Sequence, residues 1–221
     1  MTAIKICGIT SNEALISAGQ LALDYAGFMM WPRSPRALSL DQAAFLSVAA
    51  PAELQIVGVF VNPSNEELEA ALSAASFDLI QLHGDEDPRR VAEIRSRFKV
   101  PVIKALRIAT AEDLEPLASF EQVADLLLFD TKVDPKISVL PGGTGLSFDW
   151  QILAGRKFKR PWMLSGGLNA DNVGRALSIL KPDAVDVSSG VEDRPGVKNI
   201  TKIKEFVQAV RITRTAVPQS S

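Results

Sequence analysis

Strand-like and helix-like stretches alternate eight times along the 221-residue chain, which predicts an α/β protein built as a single (β/α)8 TIM barrel. Three observations carry that prediction. The β-compatible runs are short, and each leads through a turn signal into a helical pattern, so successive strands must be parallel with right-handed crossovers. The units recur roughly every 21 to 37 residues, and eight is the number at which such units close. No linker or shift in composition divides the chain. A doubly wound open sheet is the structural alternative.

The first strand, Ala3 to Cys7, stops at Gly8, and Thr10, Ser11 and Asn12 offer N-caps for a helix over Glu13 to Leu21. Alternation puts Lys5 and Cys7 on one face of that strand, a cation on the thiol's side. A second strand, Asp24 to Phe28, opens the loop WPRSPR, Trp31 to Arg36, before a helix from about Leu40 to Ala49. Leu54 to Val61 is a β-branched run, followed by a helix over Glu66 to Ala74 with Ser64 or Asn65 as cap. Asp78 to Leu82 ends in His83 and Gly84 ahead of a helix from Pro88 to Phe98, and Val102 to Leu106 precedes one near Ala111 to Ala118. Asp125 to Phe129 ends at Asp130, and a long loop with glycines between Pro141 and Gly145 reaches a short helix near Phe148. Trp162 to Leu164 ends in Ser165, Gly166 and Gly167, with Asn169 capping a helix to about Leu180. Ala184 to Val187 ends in Ser188, Ser189 and Gly190, and the last helix covers roughly Asn199 to Val210. Residues 1–212 thus form one catalytic domain, with 213–221 as a disordered polar tail.

With 23% charged residues and a net charge of -2, the chain has no basic excess for a nucleic-acid partner. No apolar run approaches the roughly 18 residues that span a bilayer, so no membrane partner is expected. One cysteine cannot form an intramolecular disulfide, and the N-terminus lacks a basic and apolar leader, which points to the cytoplasm. One histidine excludes a metal site built on several imidazoles, and no metal is expected. Monomer and homodimer both remain open.

In such a barrel the active site lies at the C-terminal ends of the strands, so the polar residues there are the candidates. Cys7 and Asp130, from strands one and six and on different sides of the mouth, suit one acid and one base acting on a bound sugar, or are a buried small hydrophobe and a surface carboxylate or cap. The clusters Ser165 to Gly167 and Ser188 to Gly190 end strands seven and eight, where bare backbone N–H groups can surround a phosphate, or are two tight turns that need glycine. Arg36 offers a planar fork for a carboxylate, or is an exposed arginine. His83 belongs to the mouth or is a satisfied structural histidine. Asp186 is partly buried and needs a partner, for which Lys5 on the neighbouring strand is the candidate. An ammonium at Lys5 would favour the Cys7 thiolate, and an apolar mouth beside Phe129 would keep Asp130 protonated.

Taken together, KICGIT, GFMMWPRSPR, QLHGDE, LLFDTK, PGGTG with FDW, LSGGL and AVDVSSGVE resemble the phosphoribosylanthranilate isomerase family over Lys5 to Glu192. The resemblance implies a cofactor-free Amadori rearrangement of N-(5-phosphoribosyl)anthranilate in tryptophan biosynthesis. It casts Asp130 as general acid, Cys7 as general base and Arg36 as the carboxylate holder. Gly143, Gly145, Gly166, Gly167, Ser189 and Gly190 would lie around the phosphate, with His83 and Asp186 as further substrate-binding positions. The rival readings are a metal-dependent pentulose-phosphate epimerase and a non-catalytic phosphosugar-binding barrel.

Overall fold

In the computed structural model, which describes residues 2–132 and 147–215, eight parallel strands hydrogen-bond in sequence order and the eighth returns to the first. They are β1 Ala3–Cys7, β2 Tyr25–Met29, β3 Gln55–Phe60, β4 Leu79–Leu82, β5 Val102–Ile108, β6 Leu126–Thr131, β7 Trp162–Leu164 and β8 Ala184–Val187. Closure is made by β1 against β8, with Lys5 opposite Asp186 in register. The sheet therefore has no free edge.

Strand alternation divides the core in two. One face of each strand fills the lumen, with Val57, Val59, Leu79, Ile103, Leu128, Met163 and Ala184 packed below Cys7. The other face carries Ile6, Phe28, Phe60, Ile80, Leu82, Phe129 and Leu164 against the surrounding helices. Continuous apolar strands follow from burial on both sides.

Four aspartates close the lower rim by one repeated device. Asp24, Asp78, Asp125 and Asp183 each precede an even-numbered strand and accept the backbone N–H of the strand before it: Ile4 at 2.8 Å, Ile56 at 2.7 Å, Val102 at 2.9 Å and Trp162 at 2.9 Å. Sequence reading extends strands two, four and six back to Asp24, Asp78 and Asp125. The structure starts them one residue later, because each carboxylate caps its neighbour instead of continuing its own strand.

The helices are α1 Asn12–Gln20, α2 Leu40–Ala49, α3 Asn65–Ala74, α4 Pro88–Phe98, α5 Leu117–Val123, α6 Val173–Ile179 and α7 Ile200–Thr215. Ser11, Ser39, Ser64 and Asp87 cap the first four through side-chain oxygens. The fifth unit departs from expectation: Ala111–Leu114 is a 3-10 turn, and α5 begins after Pro116, which lacks the N–H a helix interior needs. Near Phe148 the helix is a 3-10 turn, Trp150–Ile152, started by Asp149. Asn169 does not cap α6; its Oδ1 accepts from the backbone of Asp171 and Asn172 in the turn before it. The last helix continues to Thr215, so 213–215 belong to it, and the rest of the expected tail lies outside the described residues. A hairpin absent from the sequence reading, β9 Glu192–Arg194 with β10 Val197–Lys198, stands between β8 and α7.

Candidate active site

Cys7 is the last residue of β1 and is buried, facing the lumen mouth. Gly8 follows at φ +77°, in the left-handed region, and a Cβ there would lie 2.6 Å from Arg36 Cδ. One glycine thus both ends the strand and lets the arginine stem cross beside the thiol. Gly27, opposite Cys7 in β2, leaves the space at the sulfur: a Cβ would come 3.0 Å from Sγ.

Below the thiol, Lys5 Nζ donates to Asp186 Oδ1 at 2.9 Å, and Ser165 Oγ donates to Asp186 Oδ2 at 3.1 Å. The expected Lys5 and Asp186 pair is present, and both carboxylate oxygens are engaged inside the barrel. Burial pushes the Cys7 thiol above its ordinary pKa; Lys5 pulls it down, as expected from alternation, but does not offset burial and the Asp186 charge. Burial alone would lower Lys5, yet Asp186 and Cys7 hold its ammonium above the ordinary value.

Arg36 is 5% exposed, which sets aside the reading of a free surface arginine. Its Nε and Nη2 donate to Glu192 Oε1 and Oε2 at 2.8 and 2.7 Å, a fork-on-carboxylate pair. Lys198 Nζ donates to Glu192 Oε1 at 2.8 Å and to the carbonyl oxygen of Ser188 at 3.0 Å, while Ser188 Oγ donates to the Cys7 carbonyl at 3.0 Å. The β9 and β10 hairpin carries both partners and sits on the Arg36 loop, a Cβ at Gly196 being 2.5 Å from the Pro35 carbonyl oxygen. Sequence reasoning missed Glu192 and Lys198; the only available signal was an acidic residue ending the SSGVE stretch.

Asp130 is buried near the end of β6 on the lumen side, and Phe129 points the other way into an aromatic cluster with Phe158 and Trp162. The expected apolar influence of Phe129 on Asp130 is therefore wrong: adjacent residues of a strand face opposite sides. Asp130 Oδ1 accepts from the N–H of Thr131 at 2.7 Å, and Oδ2 lies 3.0 Å from His83 Nε2. Gln81, two residues earlier on the lumen face of β4, places Nε2 2.8 Å from His83 Nδ1. His83 thus joins Asp130, and Gln81 is a third residue that sequence reasoning passed over.

Gly166 and Gly167 adopt φ +88° and +62° after β7. At Gly166 a Cβ would strike Thr131 Oγ1 at 2.3 Å, and at Gly190 it would meet the Leu168 carbonyl oxygen at 2.0 Å, so the loops after β6, β7 and β8 touch through glycines. Asn172 Nδ2 fixes the Gly167 carbonyl at 2.8 Å, and Ser189 opens the 3-10 turn Ser189–Val191. Gly143 and Gly145 lie outside the described residues. Among the described residues, no three His, Cys, Asp or Glu side chains gather as metal ligands, and no helix is long and apolar enough to cross a membrane.

A family model described as N-(5'phosphoribosyl)anthranilate (PRA) isomerase matches residues 4–209. The chain is 46% identical to the N-(5'-phosphoribosyl)anthranilate isomerase of Paracoccus denitrificans over 204 residues, covering 92% of this chain and 94% of that one. It is 48% identical to that of Paramagnetospirillum magneticum over 208 residues, with 94% and 96% coverage. The phosphoribosyl anthranilate isomerase of Thermotoga maritima superposes with a TM-score of 0.85 at 35% identity, covering 96% of this chain and 99% of that one. A structure of such an isomerase in complex with reduced 1-(o-carboxyphenylamino)-1-deoxyribulose 5-phosphate gives 0.83, at the same identity and coverage. An eight-stranded barrel with these strand-end residues, matched along nearly its whole length, belongs to the N-(5'-phosphoribosyl)anthranilate isomerase family of tryptophan biosynthesis.

Proposed function

We propose that the chain carries out the family's Amadori rearrangement with Asp130 as general acid and Cys7 as general base. The observation that carries this reading is their placement: two proton-transfer groups face one mouth from β6 and β1, between an arginine and a pair of glycine loops. The reduced product analogue held by the solved relative bears a carboxylate and a phosphate, and the mouth offers one receptor for each.

Arg36 would take the anthranilate carboxylate through Nη1, since Glu192 occupies Nε and Nη2. Gly166, Gly167, Ser189 and Gly190 would surround the phosphate with backbone N–H groups. Anchored at both ends, the sugar lies with its ring oxygen toward Asp130 and C2 toward Cys7. Asp130 gives its proton to the ring oxygen, the C1–O bond breaks, and the anthranilate nitrogen supplies the pair that forms a protonated C1=N Schiff base. The Cys7 thiolate then takes the C2 proton; that electron pair makes C1=C2 and the C=N pair returns to nitrogen. The resulting enolamine tautomerises to the ketose. The Schiff-base cation beside a buried thiol favours its ionisation at the step that needs it. His83 holds Asp130, and Asp186 anchors Lys5 beneath Cys7. No cofactor enters these steps. We place the reaction in the cytoplasm, with the chain acting as a monomer or homodimer.

Turnover of phosphoribosylanthranilate by the purified chain, with chelator present, is followed by the loss of anthranilate-type fluorescence. Activity in the wild type that collapses in Cys7→Ser and Asp130→Asn is expected. A folded wild type without turnover overturns the reading, and activity abolished by the chelator favours the metal-dependent epimerase.

A further inference from the structure

Gln81 has no part in the steps above, yet it is buried in the lumen directly beneath His83. Its register neighbours on β3 and β5 are Val59 and Ile103, both wholly buried and apolar. Its Nε2 meets His83 Nδ1 at 2.8 Å, and its Oε1 has no hydrogen-bond partner. A buried amide oxygen without a partner is costly, so its retention calls for an explanation.

A half turn of the amide would exchange the two atoms. The turned amide would place Oε1 against Nδ1 and leave Nε2 in the apolar neighbourhood, so each orientation makes one hydrogen bond and strands one group. What distinguishes them is the imidazole. With Nε2 facing it, Nδ1 must be bare and His83 carries its proton on Nε2, donated to an ionised Asp130. With Oε1 facing it, Nδ1 carries a proton, and a second proton lies between Nε2 and Asp130 Oδ2. The two arrangements differ by one proton taken from solvent, and only the second holds a proton that Oδ2 can give away.

We propose that Gln81 is a positioning residue whose amide turns with the protonation of the His83 and Asp130 pair, accepting from Nδ1–H when the pair is loaded and donating to Nδ1 when it is empty. This deepens the assignment of Asp130 as general acid and rests on that reading for its catalytic meaning. Among the described residues, the other charged groups around the pair are Arg107 on β5, in register with Asp130 and ion-paired to Asp85, the buried Lys104 and Glu86 pair, whose ammonium donates to the Leu82 and Gly84 carbonyls on either side of His83, and, across the mouth, Cys7 with the Lys5 and Asp186 pair. β3 and β7 contribute Val59 and Ser165, neither charged.

His83 is the sole histidine, so its ring nitrogens are identified without ambiguity in 15N spectra of the full-length protein. In the wild type Nδ1 is expected to be bare at high pH and protonated at low pH, with the Gln81 side-chain amide signals moving at the same midpoint. Gln81→Met, unable to accept well from Nδ1–H, lowers that midpoint by about one pH unit, a tenfold loss in proton affinity. Gln81→Glu, an acceptor only, raises it. The alkaline limb of kcat follows the same order. Gln81 amide signals that ignore the His83 titration, or a midpoint unmoved in both variants, overturn the proposal. The wild-type titration does not depend on turnover, so an inactive protein with coupled His83 and Gln81 signals rejects the isomerase reading and leaves the switch standing.

Discussion

The two sides of the barrel mouth are built on different physics. Around Cys7 the chain gathers five charged side chains: Lys5 and Asp186 below, and Arg36, Glu192 and Lys198 above. Among the described residues, the hydrogen bonds of Asp130 are to His83 and one backbone N–H, with Gln81 behind the imidazole, and the arginine in register with it, Arg107, is ion-paired to Asp85. A thiol base must become an anion in a buried place, so its surroundings are a balance of charge against desolvation. Asp130 is instead held by hydrogen bonds, one from its neighbour's backbone and one shared with an imidazole.

The largest expected effect treats both sides alike: Cys7→Ser and Asp130→Asn each lower kcat by about 10²- to 10⁴-fold, the usual range for a lost proton-transfer group. Stability should then separate them. Lys5→Met leaves the Asp186 carboxylate buried and unpaired, and urea unfolding should show a loss of about 3–5 kcal/mol, largely restored in Lys5→Met with Asp186→Asn. On the Asp130 side, His83→Asn strands Asp130 Oδ2 and Gln81 Nε2 as hydrogen-bond partners and should cost about 1–3 kcal/mol.

The pH dependence sharpens the contrast. Because burial, only partly offset by Lys5, raises the Cys7 thiol, the acid-side limb of kcat/KM should lie above the ordinary thiol pKa, with activity still climbing through neutral pH. Removing Lys5 together with Asp186 moves that limb further up. The same shift carries a stability sign: a thiol whose folded pKa is raised contributes fully below its unfolded pKa, and that contribution fades as pH climbs through the folded one. Unfolding free energies from pH 7 to 10 should therefore fall more steeply in the wild type than in Cys7→Ser. The smallest effect is expected from Phe129→Leu, which faces the helices: about 1 kcal/mol of stability and no movement of either limb.

The barrel was legible because strand and helix periods alternate and each strand is buried on both sides, so apolar runs announce it even where the boundaries slip. The slips have local causes: Pro116 splits a helix in two, and Asp24, Asp78 and Asp125 cap neighbouring strands. The strand-end rule led to Cys7, His83, Asp130 and the glycine loops, since topology sends those positions to the mouth whatever surrounds them. The closure of strand eight on strand one also put Lys5 beside Asp186, a pairing that needs only strand order. Alternation was misapplied to Phe129, whose neighbour in sequence is its opposite in space.

By itself, then, the sequence determined which residues reach the mouth and from which strand, because backbone periodicity and parallel closure are local rules repeated eight times. Tertiary structure alone decided what each of them touches. Glu192 meets Arg36, with Lys198 on the same carboxylate, only because a hairpin 156 residues along the chain from Arg36 folds back over its loop. Gln81 meets His83 only because both side chains turn into the same lumen. The charge felt by Cys7 and the imidazole met by Asp130 depend on burial and on distances of about 3 Å between distant segments, which no spacing along one chain encodes.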